Sequence, residues 1–327
     1  MSQSADKNIG VRGIVNRLLY GTKDTRLRAT WRVCLPLLAG FIPYLGGQIV
    51  IPLGLRSVID DVSGRSDILW TLVLLTLLAA VIALSGLIAV IVASRLDNRP
   101  TRRYGFNVSR RWGTEFLVGV LIGVIASIGA VLYQVARGFA TLHPEPTGVG
   151  VDSMLLGGLA VVVMLLFFLS NNVFEEILFR AIFIQNAAEG LRMRSVGKTG
   201  AVVVALAASA PIFGMTHLLG GGGVADVVTS LIGGILFATA YVLSGQLALP
   251  IGVHFGGVAI LTFLQEPVSQ DPELTLPSLL VAEEIGSASL VQSVELWVVR
   301  AAIGVLLICG WVYYSTGEIT IAEGVYS

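Results

Sequence analysis

Residues 161–184 read Val161-Val162-Val163-Met164-Leu165-Leu166-Phe167-Phe168-Leu169-Ser170-Asn171-Asn172-Val173-Phe174-Glu175-Glu176-Ile177-Leu178-Phe179-Arg180-Ala181-Ile182-Phe183-Ile184. The stretch is apolar at both ends, with two asparagines, two carboxylates and a guanidinium between. A helix that is apolar all round has no face to turn to water, so it sits in lipid or among other helices. A charge placed there costs about 2.5–3.5 kcal/mol on insertion scales and is kept where it has a partner or a task.

The rest of the chain follows the same pattern. Of its 327 residues, 55% are hydrophobic and 13% are charged, and the mean hydropathy is +0.83. Ordinary globular domains carry about 25% charged residues. This excludes a disordered chain, a soluble single domain and a nucleic-acid-binding surface. Runs long enough to cross a hydrocarbon core of about 30 Å fall at roughly 33–53, 68–94, 116–136, 152–172, 200–218, 225–244, 247–264 and 294–316. The fourth continues with embedded charges through 173–189. The alternation of a membrane barrel is absent. The expected fold is all-α: a polytopic transmembrane bundle of about eight helices over 33–316, preceded by a basic arm at 1–32 and followed by a short tail at 317–327.

Charge sets the orientation. Lys7, Arg12, Arg17, Lys23, Arg26, Arg28 and Arg32 precede the first run. Arg95, Arg99, Arg102, Arg103, Arg110 and Arg111 follow the second, and Arg192, Arg194 and Lys198 follow the fourth. The segment 265–295 instead carries Glu266, Asp271, Glu273, Glu283, Glu284 and Glu295 and no cation. An integral multi-pass protein with both termini cytoplasmic is expected, without a cleavable signal peptide. Ile9, Ile14, Val15, Leu18 and Leu19 among Arg12 and Arg17 fit a short interfacial helix or a solvated tail. Cys34 and Cys309 lie inside apolar runs, which leaves no disulfide framework and no cysteine metal cluster.

The polar residues of the apolar runs form a pattern of their own. Glu176 and Arg180, four apart, share a helix face as an ion pair does. Glu175 is turned about 100° from Glu176 and is free to face elsewhere. His217 ends the fifth run, one turn after Phe213, and His254 lies in the seventh, one turn after Pro250. His143, in an outer loop, reads as solvated. Pro211 can bend the fifth helix, and Gly252, Gly256 and Gly257 permit close helix approach. One carboxylate and two imidazoles suit hydrolysis: a Glu and a His activate a water, and a second His donates to the oxyanion. The same Glu175, His217 and His254 can instead hold zinc with an open fourth position, although the helical His-Glu-x-x-His signature is absent. A packing cluster without chemistry, or a proton relay in a transporter, uses the same residue types. Against the transporter, no repeated pair of broken helices occurs.

In their order, these elements resemble the CPBP family of intramembrane proteases, which includes CAAX prenyl proteases, bacteriocin-processing enzymes and Abi proteins. The family pattern is Glu-Glu-x-x-x-Arg, then Phe-x-x-x-His, then His-x-x-x-Asn. It is matched here by Glu175, Glu176 and Arg180, by Phe213 and His217, and by His254, within a core at about 152–264. The resemblance implies a glutamate-type intramembrane endopeptidase acting on a membrane-associated or prenylated (CAAX-like) protein in the bilayer. It implies a water activated by Glu175 with His217, His254 in the oxyanion pocket, Glu176 and Arg180 in support, and no required cofactor, with zinc the alternative. The pattern breaks at Val258, where the family often has Asn. Asn171, Asn172, Thr216 and Thr262 are the polar residues that can substitute. The family also contains proposed scaffolds and immunity proteins, so a non-catalytic membrane scaffold is the alternative function.

Overall fold

The computed structural model describes residues 18–20, 26–59, 67–144, 153–192, 196–264, 280–286 and 289–326. Lys7, Ile9, Arg12, Ile14, Val15, Arg17, Lys23, Arg194, Glu266, Asp271 and Glu273 lie outside these residues, as do the side chains of Thr262 and Glu284. The helices are α1 Ala29–Ile59, α2 Asp67–Asp97, α3 Arg110–Ala136, α4 Met154–Glu176, α5 Gln185–Arg192, α6 Lys198–Thr216, α7 Val224–Ser244, α8 Ala248–Leu264 and α9 Leu290–Thr316. A π-helical segment, Ile177–Ile184, joins α4 to α5 without a break.

Every predicted run is helical, and the chain is an all-α multi-pass membrane bundle. Among the described residues seven helical stretches are long and apolar enough to cross a membrane, Met154–Arg192 counting as one of 39 residues. The seventh predicted run, 247–264, is α8, a shorter apolar helix. A small sheet departs from the all-helical expectation. β1 Ala140–His143 pairs antiparallel with β2 Val281–Glu284. Two extended loop segments meet there and satisfy each other's peptide groups. His143 is half exposed, with Nε2 3.5 Å from Glu283.

The closest crossing is α3 on α8. A Cβ added at Gly123 would stand 2.2 Å from the Val253 carbonyl oxygen, and one at Gly252 would stand 2.2 Å from that of Phe116. Only glycine permits this backbone contact, the membrane equivalent of ridge-in-groove packing. It fixes the height and rotation of α8, and with them His254. The buried centre is the π-helical segment, where Ile177, Leu178, Phe179, Arg180, Ala181, Ile182 and Ile184 are all buried.

A second polar cluster ties the basic end of the bundle together. Glu189 on α5 accepts from Arg26 at 2.6 Å, Arg32 at 3.0 Å and Arg99 at 2.8 Å. Arg32 also donates to Asp97 at 3.1 Å, and the Tyr104 hydroxyl donates to the other Asp97 oxygen. Burial, and after it the Asp97 charge, hold the Tyr104 phenol well above its ordinary range. The tail is docked as well: Ala322 N–H donates to the Val242 carbonyl at 2.9 Å, and Arg192 donates to that of Tyr326 at 2.7 Å. Glu189→Ala should lower stability by about 2 kcal/mol, below the usual cost of breaking a buried pair because Arg32 keeps Asp97. The thermal midpoint in detergent reads this loss; an unchanged midpoint would show the cluster to be ornamental.

Candidate active site

Glu175 and Glu176 are the last residues of α4 before the helix widens. A π-helical turn leaves carbonyls outside the α-pattern, and such turns are frequent at functional sites. Here the hydroxyl of Ser209 on α6 donates to the Phe179 carbonyl at 3.2 Å, locking the widened turn to its neighbour.

Glu176 is a fork. Its Oε2 lies 3.0 Å from Arg180 Nε, the expected ion pair, and both side chains are fully buried. Its Oε1 accepts from His254 Nδ1 at 3.1 Å, a contact the sequence did not indicate. A carboxylate oxygen in this position only accepts, so His254 carries a hydrogen on Nδ1. The His254 ring stacks on Phe237 with centroids 4.0 Å apart. The Arg180 guanidinium lies over Phe213 at 4.6 Å and Phe237 at 5.6 Å.

Glu175 is differently placed. Its side chain keeps 17% exposure where Glu176 has none. Oε1 accepts from Asn171 Nδ2 at 2.8 Å, and Oε2 lies 3.7 Å from His254 Nε2. The latter gap is too long for a direct hydrogen bond. Asn171 Oδ1 accepts from the Tyr44 hydroxyl at 3.4 Å, and the Tyr44 ring stacks on Phe174 at 4.7 Å. Tyr44 comes from α1 and was missed by sequence reasoning. The available signal was a tyrosine inside an apolar run, whose hydroxyl needs a partner once buried.

His217 sits where α6 tightens into the 3-10 turn His217–Gly220. Its Nδ1 donates to the Phe213 carbonyl at 3.2 Å, which leaves the Nε2 lone pair available. Both imidazoles stand edge-on to Phe213, with centroids 5.2 Å away for His217 and 6.3 Å for His254. Taken as straight spans ending near residue 172, the sequence runs would leave Glu175 and His217 at opposite ends of the bundle. Continuity of the fourth helix to Arg192 removes that conflict. Glu175 lies about 26 Å before Arg192 and His217 about 28 Å after Lys198, so they come to nearly the same level.

The remaining polar residues are engaged. Asn172, oriented by its neighbours, donates to the Phe168 carbonyl and accepts from Phe255 N–H. Thr216 donates to the Phe213 carbonyl at 2.6 Å. Val258 follows His254 by one turn with no side-chain donor. Among the described residues no ion pair joins His217 to either glutamate. Nor are three His, Cys, Asp or Glu side chains grouped as a metal site. Glu175, His217 and His254 are therefore not gathered as a zinc ligand set among the described residues.

Residues 157–260 match the family described as Type II CAAX prenyl endopeptidase, Rce1-like. The matched stretch contains every motif residue above, while Tyr44 lies outside it. No curated protein and no solved structure gives a match to the chain. The segment that builds this site, residues 157–260, is thus similar to the CAAX-protease family, in line with the resemblance carried by its motifs.

Proposed function

We propose that the protein is an intramembrane endopeptidase that hydrolyses a peptide bond of a membrane-associated or lipidated protein, with Glu175 as general base. The observation that carries this reading is the His254 ring held between two carboxylates of unequal burial. Glu176, compensated by Arg180, fixes the ring. Glu175, tethered at one oxygen by Asn171, keeps the other for chemistry. A water between Glu175 Oε2 and His254 Nε2 is within hydrogen-bond reach of both. Glu175 takes its proton as the oxygen adds to the scissile carbonyl carbon. That proton then passes to the amine nitrogen as the C–N bond breaks, leaving a carboxylic acid and an amine. The water's second hydrogen goes to an imidazole lone pair, His217 Nε2 or His254 Nε2. With its own hydrogen on Nδ1, His254 orients the water and does not donate to the carbonyl oxygen that gains charge. The scheme needs no cofactor. The bilayer and a lipidated protein are the partners, nucleic acid is not one, and the basic end with both termini faces the cytoplasm.

Val258 favours a second reading, a non-catalytic scaffold or immunity-type protein in which the cluster only packs helices. Asn171, Asn172 and Thr216 are all held internally, so none is idle to replace the missing donor. The Tyr44 hydroxyl, on a 3.4 Å bond, is the donor held most loosely. Tyr44→Phe keeps the stack on Phe174. It should lower turnover about 100-fold, the usual cost of one oxyanion donor, at an unchanged thermal midpoint. The test of the whole reading maps peptide termini in the membrane proteomes of cells without the protein, with wild type, and with Glu175→Gln. Termini unique to wild type support the protease and name its substrates; identical termini and identical rescue refute it.

A further inference from the structure

We infer that a cavity at the end of the bundle opposite the Glu189 cluster binds a small uncharged polyol, held by Gln134, Thr229 and Gln292. Nothing in this site depends on the protease reading. The cavity, about 160 Å³, lies where α3 ends and where α7 and α9 begin. Gln134 is about 36 Å along α3 from Arg110. At about 30 Å³ per water in the liquid, the space equals about five waters, the room one small polyol needs. Asp226 and Ile285, both exposed, stand at its mouth. Gln134 is the residue that calls for a ligand. It is only 8% exposed, it lines the cavity, and among the described residues its amide has no hydrogen-bond partner. A buried carboxamide that uses neither its donors nor its acceptor is costly until something enters to meet it.

The other polar walls have spare capacity of the matching kind. Thr229, also 8% exposed, donates its hydroxyl to the Ala225 carbonyl at 2.9 Å, which leaves the oxygen free to accept. Gln292 accepts from Ser289 N–H at 2.8 Å through Oε1, which leaves its NH2 free to donate. The cavity thus offers donors from Gln134 and Gln292 and acceptors from Gln134 and Thr229. A hydroxyl both donates and accepts, so neighbouring hydroxyls on one small molecule match these walls. Phe139 and Trp297 line the same space and give its C–H groups an apolar face.

Charge selects against ions. Among the described residues Asp226 is the one ionisable group that lines the cavity. Its Oδ2 caps its own helix at Gly223 N–H, 2.7 Å away, and its charge at the mouth repels anions. Beyond the Trp297 ring, 4.3 Å from its centroid, lies the buried guanidinium of Arg300. Glu295 does not neutralise it, being held by Arg137 at 3.4 Å and by the Tyr133 hydroxyl. Arg300 therefore opposes a cation that reaches the floor. Neither charge lies at the floor itself, where an ion would exchange its hydration for amides and a hydroxyl alone. An uncharged ligand escapes all three penalties.

A ligand bonded to Gln134, Thr229 and Gln292 bridges α3, α7 and α9, so binding should raise the thermal midpoint. The test uses the purified full-length protein in a polyoxyethylene detergent, which carries no sugar headgroup. The probes are glycerol, its amine analogue aminopropanediol, its acid analogue glycerate, and a monogalactosyl diacylglycerol added to the micelles. Polyols also stabilise proteins unspecifically by exclusion from the surface. The reading is therefore the saturable difference in midpoint between wild type and Gln134→Leu at equal probe concentration. Gln134→Leu removes an unpartnered amide and should fold at least as well as wild type. Wild type should bind glycerol about tenfold more tightly than either ion, since an ion loses hydration that the floor does not replace. Thr229→Val, which keeps the shape, should weaken glycerol binding severalfold and serves as a second reference. A saturable difference with free glycerol makes a soluble polyol the ligand; one with the galactolipid alone makes it a lipid headgroup. No saturable difference with either overturns the site. So does an amine or acid analogue that binds as tightly as glycerol, or binding undiminished in Thr229→Val.

Discussion

Glu175→Gln should leave the protein folded and inserted and remove its cleavage products, with a fall in turnover of about 10²–10⁴-fold, the range supplied by a positioned general base. The substitution is close to isosteric. Its amide oxygen can still accept from Asn171, so the tether that positions the side chain survives. What disappears is the carboxylate oxygen facing His254 Nε2, the only group on α4 placed to take a proton from an intervening water. Because Glu175 retains some exposure, its neutralisation leaves no buried cation without a partner. A normal thermal midpoint and normal membrane level should accompany the loss. A variant that still yields wild-type termini would sink the catalytic assignment and leave the scaffold reading in its place. The same substitution at Glu176 is the informative contrast, since it removes the charge that faces Arg180 and should show first as instability.

The spans were legible because apolar runs of this length have one solution in a bilayer, and the motif residues were legible because helical spacing is regular. What the sequence could not convey was contact between distant segments. The i,i+4 relation of Glu176 and Arg180 holds in the structure, but the bond from Glu176 to His254 joins helices 78 residues apart. Tyr44 enters the site across 127 residues. Arg26, Arg32 and Arg99 count on paper as orientation signals, yet all three converge on Glu189. Arg300 and Glu295, five apart on one helix, are rotated by about 140° and so cannot share partners. The two four-residue strands escaped notice because Ala140–His143 alternates over only four residues, Val281–Glu284 does not alternate, and each gains its pairing only from the other.

Arg180→Met should be the most destabilising single change at the site, by about 3–5 kcal/mol. It strands a fully buried Glu176 carboxylate and takes the cation from between Phe213 and Phe237. The cost is that of an uncompensated charge more than of a lost attraction. Adding Glu176→Gln to Arg180→Met should therefore recover much of the stability, a coupling read from a double-mutant cycle on thermal midpoints. Strictly additive losses would mean that the two groups do not compensate each other. The double variant also separates the two functional readings. It keeps the bundle nearly neutral and packed, so a scaffold should regain its function with its fold. A protease should regain it only in part, because the amide oxygen introduced by Glu176→Gln still accepts from His254 Nδ1 but holds it by a weaker bond than the carboxylate does, and the imidazole is less firmly fixed beside Glu175. Restored midpoint without fully restored cleavage would assign the fork at Glu176 to chemistry as well as to packing.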